Sequence, residues 1–327
     1  MSPDETEGRH LIVDTDTLGI NDDALALYYL FALGRVPRLI TTVFGNASAA
    51  TSQAHARTLA AEHGLDIDVV RGCEKPLWWS EPAREHVRAA VAALPAATYV
   101  AALSTDNEHF WGASTSANPH PRDGLAPREL AKTLQTSEAC DILAIGPLTN
   151  IARAIQLLDD HTTLQRHRLW ISGGSIRSGN VTGDAEFNAY ADPEALHTCL
   201  GATWGSLVMV PLEALAAPRL VPAAVTRIRA TDTPLGAALD RLERESPRGT
   251  STDREPIWDV VAAALMAEWD LPRTQAPGTI SVSTDLPHRG RIHFEQGQGA
   301  HQLVTEIDPD LLVRRFEAAV SRPRTSP

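Results

Sequence analysis

Cysteine is scarce in this 327-residue chain: Cys73, Cys140 and Cys199 are its only three, far apart and without metal-type spacing. That argues against a disulfide framework and fits a reducing compartment. Positive charge is also short. There are 29 Lys and Arg against 41 Asp and Glu, a net charge of −12. The balance argues against a nucleic-acid partner, and an anionic substrate would need a local basic pocket or a metal. Long apolar runs are missing too: no run of about 18 apolar residues exists to span a membrane. The opening "MSPDETEGRH" is polar and acidic, without the apolar region of a signal peptide. A cytoplasmic protein is therefore expected. Neither an internal repeat nor a linker breaks the chain. The expectation is one domain over 1–327, with 1–10 a flexible start and 322–327 a tail. What is plentiful is apolar side chain, at 43%, enough for a sizeable core and too much for wholesale disorder.

Short apolar runs alternate with longer helical patterns. "LIV" at 11–13, "LITTVFG" at 39–45, "DIDVVRG" at 66–72, "DILAIG" at 141–146, "RLWISGG" at 168–174 and "GSLVMVP" at 205–211 read as strands. "DDALALYYLFALG", "ASAATSQAHARTLAAEHG" and "PLTNIARAIQLL" read as helices, the first two closed by glycine. This alternation predicts an α/β fold: a single doubly wound domain with a mainly parallel central sheet and active-site loops at the strand C-terminal ends. Residues 76–125 and 220–256 resist the pattern. Apart from a helix over 234–245 they read as irregular, and long irregular segments usually serve active sites. The segment 279–307 reads as short strands, followed by a final helix at 308–320.

Four aspartates, Asp14, Asp16, Asp22 and Asp23, fall within ten positions between the first strand and the first helix. Helix capping accounts for one or two of them, not for four. Carboxylates this close raise one another's pKa unless a cation is present. Oxygen-rich, sulfur-free ligation points to a hard cation, Ca²⁺ or Mg²⁺. "LIVDTDTL" also resembles the phosphatase motif of haloacid dehalogenase-like enzymes. However, Leu18 occupies the threonine place, and lysine is scarce after Lys75.

Five motifs in order carry a stronger resemblance. "DTDTLGINDDALAL", "VFGN" at 43–46, "ILAIGPLTNIARA" at 142–154, "SGGSIRSGNVTGDAEFNAYADPEA" at 172–195 and "IWDVVAAAL" at 257–265 resemble the signatures of the inosine-uridine-preferring nucleoside hydrolase family. They cover residues 11 to about 270. The resemblance implies a Ca²⁺ held by the carboxylates of Asp16, Asp23 and Asp259 and the backbone carbonyl of Ile145. Water and the ribose 2′- and 3′-hydroxyls would complete the shell. Asp16 would also be the general base. Asp22, Asn46, Asn180, Glu186 and Asn188 would hold the sugar, with Phe187 in the same segment, and Asp14 would orient the turn from behind. The chemistry agrees. Breaking an N-glycosidic bond builds positive charge on the ribose, which surrounding carboxylates and amide oxygens stabilise. A metal acidifies water for a neighbouring base and grips the vicinal diol.

Two departures from the family pattern stand out. Five residues, Thr17 to Asn21, separate Asp16 from Asp22, where many members have three. Trp258 stands where many members carry a histidine acid. It cannot donate a proton at neutral pH, but it can stack on a base and make that base easier to protonate. This resembles the purine-specific branch, where two tryptophans sandwich the base; Trp78 or Trp79 in "PLWWS" is the candidate second wall, and Trp111 a further one. His109, beside Phe110-Trp111, is the first histidine to test if an acid is needed. The segment "VPLEALAAP" around Glu213 also departs from the family.

The leading reading is a Ca²⁺-dependent purine ribonucleoside hydrolase, working as a homodimer or homotetramer and touching neither nucleic acid nor membrane. The alternatives are a pyrimidine or modified nucleoside on the same site, or a non-catalytic nucleoside-binding protein.

Overall fold

The computed structural model describes residues 8–77, 125–215, 218–245, 257–268, 270–271 and 273–322. Trp78, Trp79, Trp111 and His109 lie outside these. Among the described residues nine strands form one sheet: β1 (His10–Thr15), β2 (Leu39–Thr42), β3 (Asp68–Arg71), β4 (Cys140–Ala144), β5 (Arg168–Ser172), β6 (Ser206–Val210), β7 (Arg273–Val282), β8 (Ile292–Gln296) and β9 (His301–Ile307). Their order is β3-β2-β1-β4-β5-β6-β9-β7-β8. Neighbours from β3 through β9 pair in parallel, and β7 runs antiparallel to both β9 and β8. The mainly parallel, doubly wound sheet is as expected. The helices are α1 (Asp22–Ala32), α2 (Ala49–Glu62), α3 (Leu125–Thr136), α4 (Thr149–Gln156), α5 (Phe187–Ala191), α6 (Pro193–Leu200), α7 (Leu212–Leu215), α8 (Pro222–Arg229), α9 (Pro234–Glu245), α10 (Trp258–Ala267) and α11 (Pro309–Val320). No helix among the described residues is long and apolar enough to cross a membrane.

Successive strand residues point to opposite faces, and here both faces are buried. Leu11, Val13, Leu143, Trp170, Val208 and Val210 pack with α1, α10 and α11. Ile12, Ile142, Leu169, Ile171, Leu207 and Met209 pack with α3, α4 and α6. Coverage on both sides is why these strands read as unbroken apolar runs rather than alternating ones. The helix α8 was not legible in the 220–256 stretch. It buries only Ala224 and Ile228, too sparse a stripe to register as a period.

The chain moves outward from β1 to β2 and β3, then returns to place β4 on the other side of β1. Loops leaving β1 and β4 therefore diverge and open a crevice at the strand carboxyl ends. Pairing holds to its lip, where Ile145 N–H donates to the Asp14 carbonyl at 2.9 Å. The cap of α1 falls to Asn21, whose Oδ1 accepts from Ala24 N–H. Capping thus requires neither Asp22 nor Asp23.

Candidate active site

A pocket enclosing about 460 Å³ of space open to solvent lies at this crevice. Asp16, Asp22, Asp23, Asn46, Ile145, Asn180, Glu186, Phe187, Asn188, Trp258 and Asp259 all line it. Of the candidates among the described residues only Asp14, behind the turn, does not line it; Trp78, Trp79, His109 and Trp111 lie outside the described residues.

Asp23 is the most heavily restrained. Its Oδ1 accepts from Thr15 Oγ1 at 2.5 Å and Asp16 N–H at 3.2 Å. Its Oδ2 accepts from Asn21 Nδ2 at 2.9 Å and Asn46 Nδ2 at 3.1 Å. Asp16 Oδ2 accepts from Asn46 N–H at 2.6 Å. Its Oδ1 is buried without a hydrogen-bond partner. Asp259, in the first turn of α10, accepts from Ser172 Oγ at 2.7 Å. One carboxylate oxygen each from Asp22, Asp23 and Asp259 falls within a 4.8 Å cluster.

Burial raises every carboxyl here. Asp22 is pushed up to about 8 by burial and then by the Asp23 charge. Asp16 and Asp259 stand well above the carboxylate range, by burial first and then by neighbouring aspartates. Asp23 is raised by burial, and its hydrogen bonds pull it part of the way back. Behind them, burial lifts Asp14 to about 7 against hydrogen bonds from Asn150 and Thr41. Several ionised carboxylates in one buried spot repel, and a cation relieves that repulsion. The unpartnered Asp16 Oδ1 and the all-oxygen donor set fit a hard divalent ion. The Ile145 carbonyl accepts one bond, from Asn188 Nδ2 at 3.2 Å, and keeps a second lone pair available.

The opposite wall comes from the loop after β5 and from α5. Glu186 spends both oxygens on backbone N–H groups of Gly174 (2.8 Å), Asn188 (2.9 Å) and Ala189 (3.2 Å), capping α5. Asn180 Oδ1 accepts from Phe187 N–H at 3.0 Å. Only glycine suits position 173: φ is +133°, and a Cβ there would lie 2.7 Å from Glu186 Oε2. Leu212 and Leu215 of α7 join Trp258 in lining the pocket and supply apolar surface.

Leu212, Ser172 and Asn150 were not singled out from the sequence, and Leu215 was noted only within the departing "VPLEALAAP" segment. Asn150 had a signal, since it ends the "GPLTN" motif. It donates to Asp14 Oδ1 at 2.8 Å and accepts from Cys73 N–H at 2.8 Å. Glu213 also acquires an account. It accepts from the backbone N–H groups of Ile176 (3.1 Å) and Arg177 (2.7 Å), tying α7 to the loop after β5.

A model of the inosine-uridine preferring nucleoside hydrolase family matches residues 11–314. An uncharacterized protein of Schizosaccharomyces pombe is 28% identical over 323 residues, spanning 92% of this chain and 91% of its own. The non-specific ribonucleoside hydrolase RihC of Salmonella paratyphi B is 34% identical over 194 residues, covering 58% of this chain and 56% of that protein. Among solved structures, an inosine-guanosine nucleoside hydrolase superposes with a TM-score of 0.74 at 19% identity, covering 97% of this chain and all of that one. The chain belongs to the inosine-uridine preferring nucleoside hydrolase family and is a nucleoside hydrolase, an enzyme that cleaves N-glycosidic bonds.

Proposed function

We propose that the substrate is a purine ribonucleoside, hydrolysed to free base and ribose with Ca²⁺ in the site. Asp16, Asp23, Asp259 and the Ile145 carbonyl would hold the ion. When bound, it would supply the charge that keeps the carboxylates ionised together and acidifies water beside them. Asp16 accepts the water proton on Oδ1, since Oδ2 is held by Asn46 N–H. The water oxygen bonds to the ribose anomeric carbon. The glycosidic electron pair leaves with the base, which takes its proton from solvent. Asp22, Asn46, Asn180, Glu186 and Asn188 surround the sugar and stabilise its developing positive charge. Trp258 stacks on the base, with Leu212 and Leu215 closing the apolar side.

The observation that carries this reading is the position of Trp258, lining the pocket one residue before Asp259. A flat aromatic leaving group fits such a wall, and stacking on it contributes ~1–3 kcal/mol per base. The test is base release from inosine, adenosine, guanosine, uridine, cytidine and 2′-deoxyinosine, each with Ca²⁺ and after chelation. Turnover confined to purine ribosides and lost on chelation supports the proposal. Uridine turnover equal to inosine overturns the purine assignment, and turnover that survives chelation overturns the metal.

A further inference from the structure

The sheet's far edge reaches back to the sugar side of the pocket. The turn between β7 and β8, residues 283–291, lies beyond the last family-like motif in the sequence. It is closed by Ser283 N–H to Arg291 O at 2.9 Å and Gly290 N–H to Ser283 O at 2.8 Å. It meets the segment carrying Glu186 and Asn188 at both ends. On one side Arg291 forms an isolated antiparallel bridge with Ala185, and His288 Nδ1 lies 2.7 Å from Asp184 Oδ2. On the other side Arg289, only 2% exposed, donates from Nη1 and Nη2 to Glu194 Oε1 and Oε2 at 2.6 and 2.9 Å. Between these anchors Gly290, at φ +80°, approaches so closely that a Cβ would lie 2.7 Å from Tyr190 Cα.

These contacts bracket α5. Ala185 precedes it, Glu194 follows it, and Tyr190 lies within it. A two-point guanidinium–carboxylate fork fixes orientation as well as distance. Removing one partner of a buried pair leaves the other uncompensated. Nothing in the turn lines the pocket. Its effect on chemistry must pass through α5, whose first residues, with the cap Glu186, form the pocket wall.

We propose that Arg289 is a positioning residue for the sugar subsite: paired with Glu194, it clamps the 283–291 turn onto Ala185–Tyr190 and so sets where Glu186 and Asn188 stand. The inference rests on the reading that these two residues face the ribose. Apolar contacts to the base, from Trp258, Leu212 and Leu215, come from α10 and α7, and the turn's hydrogen bonds and ion pairs run to 184–194 rather than to either helix. Loosening the clamp should therefore weaken sugar binding and leave base binding alone.

The experiment measures product inhibition by ribose and by free hypoxanthine, together with kcat and KM for inosine, in the Ca²⁺-loaded enzyme. The variants are Arg289→Ala, Arg289→Lys and Gly290→Ala, each checked by circular dichroism and Tm. Asn188→Ala is the control for the sugar reading. The expected result for Arg289→Ala is a ~10-fold or greater loss of ribose affinity and of kcat/KM, since sub-ångström misplacement of binding groups costs this much. Hypoxanthine inhibition should stay within about twofold of wild type by the same logic. Arg289→Lys, which keeps one charged contact, should recover part of the loss. Gly290→Ala keeps the ion pair but pushes on the Tyr190 backbone, so it should reproduce the selective loss even where Arg289→Ala fails to fold. Equal losses of ribose and base affinity, or no loss of either, would overturn the positioning role. If Asn188→Ala also leaves ribose affinity unchanged, the failure lies in the sugar reading instead.

Discussion

The backbone N–H of Asn46 donates to Asp16 Oδ2 at 2.6 Å, and the other oxygen of Asp16 is buried and unpartnered. Asn46, four residues past the end of β2, thus orients the carboxylate that follows β1, leaving a single oxygen for chemistry. Asp16→Asn keeps the shape and can still accept the Asn46 N–H bond on its amide oxygen, but its Nδ2 cannot take up a proton as a base. Turnover of inosine should fall at least ~10²-fold. Binding of free base should persist, because Trp258 and α7 are untouched. Steady-state kinetics with a base-inhibition assay separate the two effects. Near-normal kcat in this variant would remove Asp16 from the role of base.

Metal removal should make stability depend on pH in a particular direction. Asp14 and Asp22 have folded-state pKa values of about 7 and about 8, against 3.8 for the free group, both through burial. The folded state therefore binds their protons more tightly than the unfolded state does. Their stabilising contribution is complete below pH 4 and disappears as pH rises through 7 to 8. Buried histidines run the other way. His167 is lowered to about 4, and His55 and His301 lie below 6.5, all by burial, so they matter only as pH drops under about 6.5. Between pH 7 and 8.5 the carboxyls dominate. With chelator present, Tm should fall across that window, at ~2–4 °C per kcal/mol lost. Saturating Ca²⁺ should raise Tm more at pH 8.5 than at pH 6.5. A chelated protein whose Tm is flat or rising over the window contradicts this electrostatic account.

Much of this site was legible in the sequence because its residues sit where strands end. A buried parallel strand is an apolar run, and any polar residue directly after it lies on the rim that faces the ligand. The aspartate cluster, Asn46 and Gly146 were placed on the rim that way, whereas Ile145 came from the family-like motif. Ser172, the last residue of β5, was read only as part of the "RLWISGG" strand. Leu212 was invisible for a different reason: an apolar residue reads the same whether it faces a core or a pocket, and Leu215 drew notice only through the departure of its segment from the family pattern. The brace at 283–291 could not be read at all. Its partners Ala185 and Glu194 are about a hundred positions away, and only the strand order β9-β7-β8 brings them together.

If Trp258 stacks on the base as proposed, changing it should separate base recognition from sugar chemistry. Trp258→Ala should reduce kcat/KM for inosine by ~5- to 150-fold, the equivalent of the ~1–3 kcal/mol that stacking contributes. Uridine, with a smaller ring, should lose less. Trp258→Phe should recover part of the activity on both substrates. Parallel measurement on inosine and uridine decides the point: equal losses would mean that Trp258 only shapes the helix start beside Asp259.

Asn150 links the "GPLTN" segment to the aspartate turn from below. Its Nδ2 donates to Asp14 Oδ1 at 2.8 Å and to the Thr42 carbonyl at 3.0 Å, and its Oδ1 accepts from Cys73 N–H at 2.8 Å. All four residues are buried or nearly so, so no water stands ready to replace the amide. Asn150→Ala leaves Asp14 Oδ1 with Thr41 as its remaining side-chain partner and removes the Asn150 Oδ1 acceptor from the Cys73 N–H. Each buried group left unsatisfied costs ~1–3 kcal/mol, so the variant should lose on the order of 2–5 kcal/mol by denaturant unfolding. Asn150→Asp should fare no better. It keeps an acceptor for Cys73 N–H but sets a second carboxylate against Asp14, and that repulsion should ease as pH falls and one of the two takes up a proton. A pH-independent loss in Asn150→Asp would show that cavity and shape, rather than the charge of Asp14, govern this position.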